Sequence, residues 1–334
     1  MKIRSASFNS CRFTLPALLV LLLLATLFPL EVGAVQAASV QAAPGQVTEI
    51  SDYQVIRQPV RDAQGRLRLA IRSFRSDAIP HLLVLDPVSF ESFDLPASTV
   101  AVWDGPAEAA LAATPFMKAL QRYDGPPYPL QNGGAIRAEA GVAGTFLTVD
   151  LCPSKRPFER EMFQALEGLG KGAPVPVAVA VTGVWLMSHP QELSYLKHAS
   201  AAGKLAITWI NHSYHHTYQP QVPLQRNFVL TPGTDFSAEV LDLERLLLAR
   251  GLVPSPFFRF PGLVSDEATV RRLRELSLIP IGSDAWLAKG ESPRPGSFIL
   301  VHGNGNEPKG VQLLLPMLRS GELHLLPLAT AFRR

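Results

Sequence analysis

The chain of 334 residues carries 31 Lys and Arg against 28 Asp and Glu, a formal net charge of +3, and two cysteines. A balance this near neutral offers no basic footprint for nucleic acid, and two cysteines cannot frame a disulfide scaffold. The length suits one large domain, or a large domain with a smaller one.

Lys2, Arg4 and Arg12 precede an apolar stretch at 15–30 (LPALLVLLLLATLFPL), and small residues follow at 34–38 (AVQAA). A positive start, an apolar core and a small-residue cleavage site make a secretory signal peptide. Pro16 and Pro29 bound a short core, which favours cleavage over an uncleaved anchor. Loss of residues 1–37 takes away Cys11 and leaves 28 basic and 27 acidic residues, so Cys152 has no intramolecular disulfide partner in the mature chain. No later stretch approaches the roughly 18 uninterrupted apolar residues of a spanning helix. The expectation is an exported protein, periplasmic or extracellular, with no stable membrane span and no nucleic-acid partner.

Residues 38–140 have a mixed α+β character. The segments 66–74 (RLRLAIRSF) and 81–90 (HLLVLDPVSF) alternate as antiparallel strands do. Residues 107–123 (AEAALAATPFMKALQRY) fit a helix, and the Pro- and Gly-dense 123–134 (YDGPPYPLQNGG) fits a loop or linker. A domain boundary is expected near residue 140.

From residue 145 onward, short apolar runs alternate with helical patterns. The runs are 145–150, 175–181, 204–210, 255–260, 278–282, 298–301 and 323–328, of the kind that forms strands buried on both faces of a parallel sheet. Val240, Leu243 and Leu247 form one stripe of a helix over 236–251, with Thr234 or Asp235 as cap and Gly251 as stop. A second helix over 265–276 starts from Ser265 and two acids and buries Val270, Leu273 and Leu276. Strand–helix alternation of this length predicts an α/β fold, a barrel in particular.

Polar residues fall where five of these runs end: TVDLCPS after the first, NHSYHH after the third, FRFPG after the fourth, GSDAW after the fifth and LVHGNGN after the sixth. The C-terminal strand ends of a parallel α/β barrel converge on one mouth, where catalytic groups collect. His212 and His216 are four apart, so on a helical turn both imidazoles leave one face. Neutral imidazole nitrogen suits Zn²⁺ or a similar borderline divalent ion. Trp185, Trp209, Tyr214, Tyr218 and Trp286 lie near the expected mouth, several of them necessarily in the core.

In order and spacing these motifs resemble those of the polysaccharide deacetylases, the NodB homology domain of carbohydrate esterase family 4, over residues 145–330. The family's H-[S/T]-x-x-H matches His212–His216, its R-x-P matches Arg259–Pro261, its Asp-then-Trp matches Asp284 and Trp286, and its L-x-H matches Leu300–His302. The resemblance implies a distorted (β/α) barrel over 141–334, preceded by the smaller region 38–140. It implies His212 and His216 as metal ligands, Asp150 as the base taking a proton from the attacking water, and Arg259 as the group orienting that base. It further implies His302 as general acid, Asp284 behind it, and Trp286, Leu300 and Pro261 around the acetyl group. His215 matches no ligand and is expected to be structural or to line the cleft. The implied reaction removes N-acetyl groups from an acetylated polysaccharide (peptidoglycan, a chitin-like glucan or an exopolysaccharide), with a divalent metal, Zn²⁺ above all.

The first motif departs from the family. T-F-D-D carries the third metal ligand at its last position, and here the segment is Thr148, Val149, Asp150, Leu151. Leucine ligates nothing. Asp150 itself, Cys152 or Glu159 are candidates for the missing donor, Cys152 also reading as a small buried hydrophobe. A site that binds no metal would leave a glycan-binding protein on a deacetylase fold, and an O-acetyl esterase is a third reading.

Overall fold

The computed structural model describes residues 47–139 and 141–333. The expected signal peptide lies outside the described residues. Among those described, no helix is long and apolar enough to cross a membrane.

The first sheet is antiparallel. It comprises β1 (Ile50–Arg61), β2 (Leu67–Ser76), β3 (Ile79–Leu85), β4 (Ser92–Pro96) and β5 (Ala101–Val102), in the order β4-β3-β2-β1-β5. Local chemistry makes its turns. Asp62 Oδ1 accepts from the Gln64 and Arg66 amides between β1 and β2. Asp77 and Ala78 both have positive φ, as a two-residue hairpin turn matching strand twist requires. The expected strand 81–90 ends at Leu85, because Asp86 Oδ1 accepts from the Val88 and Ser89 amides and reverses the chain into β4. The expected helix 107–123 is two helices, α1 (Ala107–Ala112) and α2 (Pro115–Tyr123). Pro115 has no amide hydrogen to continue the first, and Thr114 caps the second.

The second sheet is parallel throughout. Its strands and the intervening helices are β6 (Phe146–Leu151), α3 (Arg160–Glu167), β7 (Val175–Val181), α4 (Gly183–Ser188), α5 (Pro190–Ala201), β8 (Leu205–Asn211), α6 (Phe236–Ala249), β9 (Phe257–Phe258), α7 (Glu267–Glu275), β10 (Ile279–Pro280), β11 (Ala285–Trp286), β12 (Phe298–His302) and α8 (Pro308–Ser320). The order is β10-β9-β8-β7-β6-β12-β11. The sheet curls as part of a barrel and stays open between β10 and β11. The run 323–328 contributes only the parallel bridge Thr145–Leu325 in place of an expected strand. Pro327 then leads into a 3₁₀ turn at Leu328–Phe332. Asp235 caps α6, and Gly251, at φ 69°, follows its end. Asp266 rather than Ser265 caps α7, through a reciprocal pairing with Thr269.

Alternation along the central strands sorts two cores. Leu147, Val149 and Leu151 of β6 pack with Val177, Val179 and Val181 of β7 against the helical layer of α3, α5, α6 and α8. Phe146, Ala178, Ala180 and Phe298 face the other way and join Leu69, Ile71, Phe74, Leu83 and Leu85 of the antiparallel sheet in one hydrophobic cluster. The change at about residue 140 is thus a change of sheet within continuous packing. The described residues belong to one compact unit.

One buried ion pair crosses this junction. Arg72 on β2 donates from Nε and Nη2 to both oxygens of Glu244 on α6, at 2.7 and 2.9 Å, and Tyr53 of β1 donates to Glu244 Oε2 at 2.9 Å. Neither charged side chain reaches solvent. Arg72→Met, which strands the carboxylate, is expected to lower unfolding stability by about 3–5 kcal/mol. Adding Glu244→Leu should recover most of that loss. Denaturant titration of the single and double variants checks both statements.

Candidate catalytic and metal site

The parallel ladder brings the site residues to one edge. Register places His302 of β12 directly beside Asp150 of β6. Asn211, the last residue of β8, pairs with both Val181 and Phe258, so His212 and Arg259 emerge next to each other. The loop after His302 is stitched back to β6. Gly303 N donates to Asp150 O at 3.0 Å, and the buried Asn304 Nδ2 donates to Cys152 O at 2.7 Å. A Cβ on Gly303 would lie 2.7 Å from Val149, so only glycine allows that approach.

Arg259 is fully buried and spends its guanidinium on fixed partners. Nη1 donates to Asp150 Oδ1 at 2.8 Å, Nη2 to Gly282 O at 3.0 Å and Nε to Ile281 O at 3.3 Å. Burial opposes ionisation of Asp150, but Arg259 foremost, then His212 and His302, hold its carboxyl below the ordinary carboxylate range. The pairing expected of Arg259 is present.

His212 is buried, and its Nδ1 lies 2.8 Å from the Arg259 carbonyl. A carbonyl only accepts, so Nδ1 carries the hydrogen and Nε2 keeps its lone pair. Burial lowers the His212 pKa to about 4, leaving a neutral imidazole. Nε2 sits 3.5 Å from Cys152 Sγ and 3.7 Å from Asp150 Oδ2. His216 reaches the same place, its ring centroid 4.9 Å from that of His212. The route is not the helical turn expected. Ser213 and His216 have positive φ, and Ser213 Oγ accepts from the His216 amide to close a tight bend. His215 points outward, its backbone amide and its ring both against Glu239 of α6, at 2.9 and 2.6 Å.

Cys152, His212 and His216 therefore bring one donor atom each within 4.8 Å of one another. Two imidazoles and a thiol, two of the three residues buried, fit a divalent ion with an open coordination position. Burial pushes the Cys152 thiol up, while His216 and His302 outweigh it and bring its pKa down to about 7. Asp150 is adjacent to this group. Leu151 is fully buried in the helix-side core, and Glu159 leads into α3 with its amide on Gly303 O.

His302 departs from expectation in its partner. Its Nδ1 lies 2.9 Å from Glu307 Oε2, a close ion pair rather than an aligned hydrogen bond. Trp286 Nε1 donates to the same oxygen at 2.7 Å. Burial opposes protonation of His302, but Cys152, Glu307 and Asp150 together raise its pKa well above the usual value. Asp284 does not stand behind His302. Its Oδ1 accepts from the Phe298 amide, and its Oδ2 lies 3.7 Å from both Arg137 and Arg294. Glu307 was hidden in the sequence because nothing but the path of the GNGN loop, just before Pro308 opens α8, brings it back to His302.

Leu300 and Pro261 are buried, and Leu300 shares the face of β12 that carries His302. Trp286 is half-buried. Of the aromatic residues expected at the mouth, Trp185 and Trp209 are core, Trp185 stacking on His189. Tyr218 is exposed and stacks on Phe228 at 5.1 Å. Tyr214 packs over Gly183, where a Cβ would lie 2.4 Å from its ring.

Residues 51–101 match the family described as the RP012 protein N-terminal domain. Solved structures similar to this chain include a family 4 carbohydrate esterase from Bacillus anthracis, at 19% identity over 65% of this chain and 90% of that one, with a TM-score of 0.45. PdaA from Bacillus subtilis, also a family 4 carbohydrate esterase, is 14% identical over 66% and 89%, with a TM-score of 0.46. A family 4 pseudoenzyme from Bacillus anthracis is 13% identical over 61% and 70%, with a TM-score of 0.43.

The placement of Leu151 yields a test. Leu151→Asp supplies the second aspartate of a T-x-D-D segment, yet it puts a carboxylate into the helix-side core with no partner. The expected result is a loss of about 3–5 kcal/mol in unfolding stability and no gain in metal affinity, read by denaturant titration and by metal titration.

Proposed function

We propose that this chain is an exported, metal-dependent hydrolase of the polysaccharide deacetylase family, removing N-acetyl groups from an acetylated polysaccharide. Peptidoglycan, a chitin-like glucan and an exopolysaccharide are the substrates to compare. The reading is carried by one arrangement: an ionised Asp150 fixed by buried Arg259, beside the His212–His216 cluster and in register with His302. The signal-peptide pattern of residues 1–37 supports export.

Cys152, His212 and His216 would hold a divalent ion, Zn²⁺ being the best match to these donors, and the ion would supply Lewis acidity for the acetyl carbonyl and the attacking water. Asp150 accepts the water's proton at Oδ2, the oxygen that Arg259 leaves free. Arg259 keeps that carboxylate charged and orients it. His302, protonated and held by Glu307, gives its proton to the departing amine. Water and amide are thereby converted to acetate and free amine, with Asp150 and His302 exchanging roles as proton carriers. Trp286, tied to Glu307, walls the same corner.

Acetate release from N-acetylglucosamine oligomers, peptidoglycan and an acetylated exopolysaccharide tests the reading. His302→Ala should lower kcat by about 10²- to 10⁴-fold with glycan affinity and metal content unchanged. Full turnover in that variant would remove the role given to His302. Glycan binding without acetate release from any substrate would leave a binding protein, and release from esters alone would make the enzyme an O-acetyl esterase.

The two carboxylates near the acid separate by the same assay. Glu307→Gln should lower kcat by about 10- to 100-fold, the worth of a charge-assisted contact of about 1.5–3 kcal/mol. Asp284→Asn, which alters only the Arg137, Arg294 and Phe298 contacts, should leave kcat within about twofold of the parent protein.

A further inference from the structure

The residue that completes the metal centre follows from strand geometry. Side chains alternate across a strand, so Asp150 and Cys152 leave β6 on one side and Leu151 on the other. Leu151 lies in the helix-side core with Leu147 and Val149. Cys152 lies in the site, with Sγ 3.5 Å from His212 Nε2. Zinc bonds of about 2.3 Å to sulfur and 2.0–2.1 Å to nitrogen, at the tetrahedral angle, set neighbouring S and N donors about 3.6 Å apart. The Cys152–His212 spacing already meets that distance.

We infer that Cys152, as thiolate, is the third protein ligand of a Cys–His–His metal centre, so that this chain holds its ion by sulfur where the related motif would supply a carboxylate. The inference rests on the metal-dependent reading above and names the ligand that reading leaves open.

Four observations support it. His212 presents a lone pair at Nε2, because its Nδ1 is engaged by the Arg259 carbonyl. Asp150 has one oxygen committed to Arg259 and stands outside the group of donors that come within 4.8 Å of one another. Asn304 grips the Cys152 carbonyl from a buried position, which fixes the backbone from which Sγ projects. Finally, Cys152 is the single cysteine among the described residues and is not in a disulfide. A thiolate carries the same charge as the carboxylate it replaces, so the centre keeps its net charge. It changes the ion's partners: sulfur selects Zn²⁺, Co²⁺ and Cd²⁺ over Mg²⁺ and Mn²⁺. It also leaves Asp150 free to act as base.

Metal-stripped protein titrated with Co²⁺ gives a readout independent of turnover. The expected result is one cobalt per chain, a near-ultraviolet thiolate-to-cobalt charge-transfer band and the strong visible bands of a four-coordinate ion. Cys152→Ser should abolish the charge-transfer band and weaken Zn²⁺ binding by more than the roughly 10- to 100-fold that outer contacts are worth. Cys152→Asp should restore binding without the band, and His212→Ala should lose both. Should Cys152→Ser fail to fold, Cd²⁺ titration of the unaltered protein reads the same sulfur bond through its own charge-transfer absorption.

Stoichiometric cobalt without that band would overturn the inference in favour of an oxygen ligand. Metal-free activity abolished by alkylating Cys152 would overturn it in favour of a thiol nucleophile. The band without acetate release from any substrate would keep the centre and reject the deacetylase reading; acetate release without the band would do the reverse.

Discussion

The site depends on Arg259. Its guanidinium binds the Asp150 carboxylate and the carbonyls of Ile281 and Gly282, and its own carbonyl receives His212 Nδ1. One side chain and one peptide oxygen thus join the ends of β6, β8 and β10. They also set two protonation states, a charged carboxylate and a neutral imidazole with its lone pair turned inward. A guanidinium stays charged in any protein environment, so burying it commits the fold to supplying an anion nearby. Asp150 is that anion. A lysine could hold the charge but could not reach three fixed acceptors on several elements with planar geometry.

The second constraint is the two-residue period of β6. It explains why a sequence lacking an aspartate at position 151 still assembles a cluster of metal-type donors. In the proposed centre the donor sits at position 152 instead of 151, and Cys152, just past the strand, lies two residues from Asp150 and so shares its face. The donor would then come from a different residue, set among Arg259, His302 and Asn304.

Legibility in the sequence followed burial. β6, β7, β8 and β12 are apolar runs long enough to be recognised, and the polar C-terminal flanks of β6, β8 and β12 announced the site edge. β1 escaped notice because only Ile50 and Val60 of it are buried and the rest gives no apolar alternation. β9 and β10 lie inside the expected runs 255–260 and 278–282 but are only two residues long. The pair His212 and His216 was legible as a cluster but not as a bend, since positive φ at Ser213 and His216 has no signature in non-glycine residues. Glu307 was out of reach for a related reason. Its partner is fixed by how a five-residue loop folds back, whereas Asp284 was nearer in motif order and is held by arginines instead.

The antiparallel sheet enters the site's construction through α6. Arg72 and Tyr53 grip Glu244 in the middle of that helix. One turn earlier, Val240 O accepts from Asn211 Nδ2, and Glu239 accepts from the amide and ring of His215. Asn211 Oδ1 in turn accepts from the Ser213 amide. The bend that carries His212 and His216 is therefore tethered at both ends to a helix whose position the antiparallel sheet fixes by a buried ion pair. Ion pairs of this kind are poor sources of net stability compared with apolar packing. What the Arg72–Glu244 pair does supply is a single register between sheet and helix, because a bidentate contact fails on a shift of about an ångström where leucine side chains would slide and repack. Fixing α6 in that way fixes the histidine bend, so the antiparallel sheet contributes to the geometry of His212 and His216 without touching them.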